Sequence, residues 1–421
     1  MTSAPHPSVP RTPTTLAAAL YLALFPLGHL PVVPVAGAMA TAADGALVLF
    51  LAVWGAGLFA DRGAARGLAR VVRGEAVRGL PSRRVLVGLL LLMAFGAWVA
   101  ASGAWGFHPR YAAVKGAGLA ALALGAAALA TSGLTWRRAV QAWLAGTAAA
   151  LAATAVLVAL GSAALRERVL YEGGGVAGLP FPRLAGPFLH PNMLGDYLVV
   201  SALLLWGLWP EVAGRRARGA LAVLGAALAA ALVLTASTAW VGAGVAAVGV
   251  GWLLAREGRK GVGATLGLAG VGVAGVTAVL LVVPLSVRVL GLDLATGAIR
   301  PAIWGSALRP FLERPLWGVG ASPYVAEALD PLWGYVGLWD AHNAYLSVLG
   351  QFGLIGSALA AVGVWLVVDG ALRARVPGRP RAALALALTA VAVNAVFLAS
   401  EDLRHAWLLL GVAAMAGSEE R

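Results

Sequence analysis

Apolar runs of about 20 residues follow one another along nearly the whole of this chain, and that recurrence restricts the fold more than any single motif does. The hydrocarbon core of a bilayer is roughly 30 Å thick, and a helix rising about 1.5 Å per residue crosses it in about 20 residues. In lipid every backbone N–H and C=O must find its partner inside the protein, so runs of this length and composition fold as helices. Only 12% of the 421 residues are charged and 60% are hydrophobic, against about 25% charged in soluble domains. The fold class read from this pattern is an all-α integral membrane protein of about 12 transmembrane helices, with no room for a sizeable soluble domain.

The runs place helices at roughly 15–36, 44–60, 85–104, 111–131, 138–160, 192–209, 219–235, 239–255, 262–285, 342–368, 382–400 and 405–417. A single helix over 219–255 would be about 55 Å long, nearly twice the core thickness, so the chain must turn, and "TASTA" at 235–239 offers the polar corner. Residues 1–14, rich in proline, read as a disordered cytoplasmic segment, and residues 15–421 as one polytopic domain with no internal repeat.

The net charge of +13 is the mark of arginine-rich inner loops rather than of a nucleic-acid partner. With the N-terminus inside, 21 of the 31 Lys and Arg residues fall on inner segments. The ten left outside, among them Arg183, Arg300, Arg309 and Arg404, are not needed for topology, and seven of them flank or occupy two long outer loops at roughly 161–190 and 286–341. Their clustering suits an anionic ligand at the outer leaflet. The second loop is too long for a mere connection. Pro301 stands there at a first helical position, with Trp304, Leu308, Phe311 and Leu312 at helical spacing, which predicts a short amphipathic helix at the interface. Arg309 and Glu313 are four apart, the spacing of a surface ion pair.

Two helices run inward from this face, each opening on polar side chains: His190, Pro191 and Asn192 at one mouth, His342 and Asn343 at the other. Helix N-termini with arginines nearby are natural phosphate sites. Asp196 lies four residues past Asn192, about one turn into the membrane, where a carboxylate is costly and therefore a candidate for function or for a structural pair. The absence of cysteine excludes thiolate catalysis, and there is no HExxH, phosphate-loop or GxSxG motif. No metal or cofactor is called for. A site of this kind can hold a lipid pyrophosphate with arginines while a histidine deprotonates an acceptor hydroxyl.

"RLAGPFLHPNMLGDYL", "RPAIWGSALRPFLERPLWGVG" and "AHNAYLSVLGQFGLIG" resemble, in order and in topological side, three signature blocks of the bacterial O-antigen ligase and polymerase family. The resemblance implies a GT-C-like, metal-independent, inverting glycosyltransferase that moves a glycan from undecaprenyl pyrophosphate to an acceptor hydroxyl at the periplasmic face of the inner membrane. The acceptor would be a lipid A core sugar, a growing glycan or a protein. On that resemblance Arg183 and Asn192 match the first block, Arg300 the arginine that holds the pyrophosphate, and His342 with Asn343 the catalytic pair; taken with the residues' own reading, His342 and Arg300 are the catalytic positions and Arg183, His190, Asn192, Asp196, Arg309 and Asn343 the substrate-binding ones. Thr238 stands where the family usually has an arginine, a gap that Arg183 or Arg309 would fill, and Gln351 replaces a commonly acidic residue. The rival from another class is a transporter or lipid flippase, which tends to show repeated halves, discontinuous helices and charges near the midplane. A peptidoglycan polymerase of the shape, elongation and division group is a rival whose signature loop is absent.

Overall fold

The computed structural model of the protein describes residues 12–28, 31–35, 38–73, 75, 77, 80–176, 179–188, 190–258, 260–282, 304, 305, 307–322, 341–373, 378–398 and 403–416. Its helices are α1 (Pro13–Leu24), α2 (Ala42–Ala60), α3 (Arg62–Val72), α4 (Arg83–Ala101), α5 (Pro109–Ala130), α6 (Trp136–Leu160), α7 (Ala163–Val169), α8 (Pro191–Leu208), α9 (Arg215–Thr235), α10 (Ala239–Arg256), α11 (Lys260–Val282), α12 (Ala344–Arg373), α13 (Arg379–Asn394) and α14 (Arg404–Ala416). A helix overlaps each of the apolar runs, although the first reaches only Leu24. Among the described residues eight of them are long and apolar enough to cross a membrane: α2, α4, α5, α6, α8, α9, α10 and α12. The protein is an all-α, multi-pass membrane protein.

Two antiparallel hairpins interrupt this pattern: β1 (Pro31–Val35) with β2 (Ala38–Thr41), and β3 (Leu170–Val176) with β4 (Leu179–Leu184). The first corrects the helix expected over 15–36. The helix ends at Leu24, because Pro26 has no N–H to offer and its ring collides with the carbonyl four residues back, and Gly28, Pro31 and Pro34 keep the chain out of helical geometry thereafter. Apolarity alone does not make a helix.

Without a hydrophobic effect between helices in lipid, close packing by small residues holds them together. A Cβ on Gly96 of α4 would lie 2.6 Å from the Ala120 backbone N, and one on Gly116 of α5 2.4 Å from the Ala100 N, so these two helices touch backbone to backbone. Buried aromatic rings fill the centre: Trp143 stacks on Tyr197 at 5.3 Å, and its Nε1 donates to Ser201 Oγ at 2.9 Å.

Ion pairs tie the helix ends in two separate tiers. At one end Arg84 of α4 meets Asp369 of α12 at 2.6 Å, and Arg379 of α13 meets Glu257 beyond α10 at 2.6 Å. At the other end Arg404 of α14 grips Asp44 of α2 through two bonds of 2.7 Å. These are the segments that the charge pattern assigned to opposite sides. The tight turn expected within 219–255 is present, with α9 ending at Thr235, Ala236 in the left-handed region and α10 starting at Ala239.

α12 holds a departure from the continuous helix expected over 342–368. At Gly353 the backbone turns to φ 62° and ψ −165°, and the helix breaks. The freed groups are bonded by the segment after the short helix at 307–313. Leu354 N donates to Pro315 O at 2.8 Å, Ile355 N to Leu316 O at 3.1 Å, Val319 N to Gly350 O at 3.2 Å and Gly320 N to Gln351 O at 2.9 Å. Gln351 joins the same arrangement, its Oε1 accepting from Ser322 N at 3.2 Å and its Nε2 donating to Ser347 Oγ at 2.8 Å. Part of the long outer loop is therefore folded onto the broken helix. The remainder, including the expected helix start at Pro301, lies outside the described residues.

Candidate functional site

The N-terminal mouth of α8 is reached through the β3–β4 hairpin. β4 delivers Arg183, the chain turns through Gly186 at φ +55°, and a 3-10 turn at Gly186–Phe188 leads into the helix. Pro191 takes the first helical position, where its missing N–H costs nothing. His190 is the N-cap, its Nδ1 accepting from Asn192 N at 3.2 Å. Burial first, then electrostatic interaction with Arg183 and with His342, pushes the pKa of His190 down to about 4. The ring is therefore neutral near pH 7, and the three side chains share one electrostatic environment although His342 is remote in sequence.

Arg183 ties the mouth of α8 to the end of α9. Its Nη2 donates to Asn192 Oδ1 at 3.0 Å and its Nε to Thr235 O, at the end of α9, at 2.8 Å, while the guanidinium lies 5.8 Å from the centre of the Tyr171 ring. Tyr171, on β3, also meets the His190 ring edge to face at 5.3 Å. Two of the five guanidinium N–H groups are used in these bonds. The α9–α10 turn presses against the first turns of α8 so closely that a Cβ on Gly195 would lie 2.2 Å from Ser237 Oγ.

At the second mouth His342 has φ +44°. Among the described residues only His342 and Ala236 are non-glycine residues with positive φ, and both belong to this site. Left-handed backbone at such residues costs on the order of 1–3 kcal/mol and collects at functional positions. The helix proper starts after His342: Asn343 caps it, with Oδ1 accepting from Leu346 N at 3.1 Å, and Ala344 N donates to Ala395 O at 2.8 Å, beyond the end of α13.

The structure thus brings Arg183, His190, Asn192 and His342 together, with Asn343 adjacent as a helix cap. Asp196 lies beneath them, 1% exposed, and meets two residues that sequence reasoning passed over. Asn394 Nδ2 donates to its Oδ1, and His405 Nε2 lies 2.8 Å from its Oδ2. The signal was available, since Asn394 and His405 are polar residues in or beside apolar runs just as Asp196 is. Their meeting across about 200 positions of sequence was not. Arg309 is on the exposed helix at 307–313 and forms the ion pair with Glu313, at 3.2 Å, that its spacing predicts. Arg300 lies outside the described residues. Thr238 is buried, and no described group bonds its hydroxyl. Among the described residues no three His, Asp or Glu side chains converge as a metal site requires.

No curated protein matches the chain at a significant level. Residues 220–361 match the family model described as O-antigen ligase. That span runs from within α9 through the α9–α10 turn, the outer loop and the His342 mouth to beyond the break in α12. The chain is therefore a multi-pass membrane protein with a segment, residues 220–361, that matches the O-antigen ligase family, the family its motif blocks resemble.

Proposed function

We propose that the protein is a metal-independent, inverting glycosyltransferase that moves a glycan from undecaprenyl pyrophosphate to an acceptor hydroxyl at the periplasmic face of the inner membrane. The observation that carries this reading is that Arg183 and His190 stand at the mouth of α8 while the His342 mouth is tied to the same helix through the Asp196–Asn394 and Ala395–Ala344 bonds. In the proposed reaction His342 takes the proton of the acceptor hydroxyl, whose oxygen attacks the anomeric carbon from the face opposite the leaving group. The bond from that carbon to the pyrophosphate oxygen breaks, and undecaprenyl pyrophosphate leaves with its negative charge held by arginines. Arg300 is the donor arginine of this reading. Arg183 fills the gap left by Thr238, because its guanidinium is bonded to Thr235 O in that same turn, whereas Arg309 is engaged with Glu313. In this reading the acceptor is a lipid A core sugar, as in a ligase, with a growing glycan or a protein as the alternatives within the family.

A broken α12 is the feature a transporter would share. Here its freed backbone groups are bonded by residues 315–320, so the break is filled by the protein itself. The test uses purified protein with lipid-linked glycan and, separately, a lipid A core, a glycan and a peptide acceptor. Release of undecaprenyl pyrophosphate with transfer to one of them is expected. Arg183→Lys and Arg300→Lys are each expected to weaken donor binding by roughly tenfold, since an ammonium cannot make the paired contacts of a guanidinium. Wild-type donor affinity in both variants, or vectorial lipid movement with no transfer, would overturn the reading.

A further inference from the structure

We propose that Asp196, Asn394 and His405 are positioning residues that hold the His342 mouth in place through hydrogen bonds, and that Asp196 does not itself contact substrate; this rests on the reading of His342 as the acceptor-side base. The three come from α8, from the end of α13 and from α14, and each is 1% exposed. A carboxylate only accepts, so the amide nitrogen of Asn394 must face Asp196, and Nε2 must be the protonated nitrogen of His405. Asn394 Oδ1 is then free to accept from Gly242 N, in the first turn of α10, at 3.0 Å. Every polar atom in this chain of bonds has one permitted orientation.

The cluster reaches the catalytic mouth along the backbone. Asn394 ends α13, and the next carbonyl, that of Ala395, takes the N–H of Ala344, two residues after His342. On the other side His405 follows Arg404, which is bonded to Asp44 at the start of α2. Gly242 cannot be larger, because a Cβ there would lie 2.5 Å from Asn394 Oδ1. Both oxygens of Asp196 are engaged by buried partners, which suits a strut better than a ligand. His342 sits in a left-handed backbone conformation that must be held from outside, and Ala344, two residues on, is bonded to the carbonyl that follows Asn394.

Hydrogen-bond polarity supplies the test. In Asp196→Asn alone the new amide oxygen can satisfy only one of the two donors that faced the carboxylate, so its N–H meets the other unless His405 moves its proton to Nδ1, and Asn394→Asp alone sets two carboxylates against each other, so each single change disturbs the chain of bonds. The double change restores it with the charge moved to position 394: the new amide at 196 accepts from His405 and donates to the new carboxylate, which still accepts from Gly242 N. The chain has no cysteine, so Ala341→Cys, at a buried position, reports on the mouth by its thiol reactivity, independently of catalysis. Each single variant is expected to lower kcat by on the order of tenfold or more with donor affinity kept within about twofold, and to raise the reactivity of that introduced thiol. The double variant should recover both rate and protection. If the singles do not fold, the double alone decides, by folding and turning over or failing to. A double variant no better than the singles, or donor binding lost with the rate, would overturn the proposal. Restored protection in a protein that shows no transfer even as wild type would instead refute the functional reading on which it rests.

Discussion

His342→Gly is the variant that separates the chemistry of His342 from its place in the fold. At φ +44° the native side chain carries a left-handed penalty of roughly 1–2 kcal/mol, which glycine does not incur. Glycine in turn loses more backbone freedom on folding, by roughly 0.5–1 kcal/mol. The two nearly cancel, and the Ala344–Ala395 and Asn343–Leu346 bonds that anchor the mouth involve no His342 side-chain atom. The variant should therefore fold, with a thermal midpoint close to that of the wild type. If the imidazole is the general base, its loss removes about 10²–10⁴ in rate, equivalent to about 3–5 kcal/mol of barrier at 1.36 kcal/mol per tenfold. The assay is transfer from lipid-linked glycan at saturating donor, beside a separate donor-binding measurement. Donor affinity should be retained, and added imidazole should restore part of the rate. A folded His342→Gly protein that transfers within about threefold of wild type would show that the left-handed residue is a structural turn and that the base lies elsewhere.

His190 has its folded pKa depressed from 6.5 to about 4, so the unfolded chain takes up the proton first. Stability is then complete above about pH 6.5 and falls by up to about 3 kcal/mol as the pH drops towards 4; His190→Asn, which keeps an N-cap acceptor, should flatten the thermal midpoint across that window, and an unchanged slope would refute the buried neutral imidazole. Ala236→Gly should be neutral or stabilising by roughly 0.5 kcal/mol, whereas Ala236→Val should lower the midpoint and weaken donor binding, because a β-branched residue resists positive φ and Thr235 O would release Arg183. In intact spheroplasts single cysteines at Ser322 and Glu167 should react with an impermeant thiol reagent while one at Ala217 should not, and the reverse pattern would invert the topology.

Apolar run length and arginine placement determined the membrane class, the positions of the helices and their sorting into two tiers, because both are one-dimensional properties that lipid and charge read directly. The helix mouths at His190 and His342 were equally legible, since proline, histidine and asparagine ahead of an apolar run announce a capped N-terminus. The hairpin after Leu24 was hidden because hydropathy does not distinguish an apolar helix from an apolar strand, and it was the spacing of Pro26, Pro31 and Pro34 that decided it. The break at Gly353 could not be foreseen either, as one glycine among many becomes a break only when residues 315–320 arrive to bond the exposed backbone. Only the tertiary structure placed Arg183 against Thr235 across the hairpin and closed Asp196 between Asn394 and His405. Such bonds depend on which helix ends adjoin in space, and no local propensity or periodicity encodes contacts between residues 52, 198 and 209 positions apart.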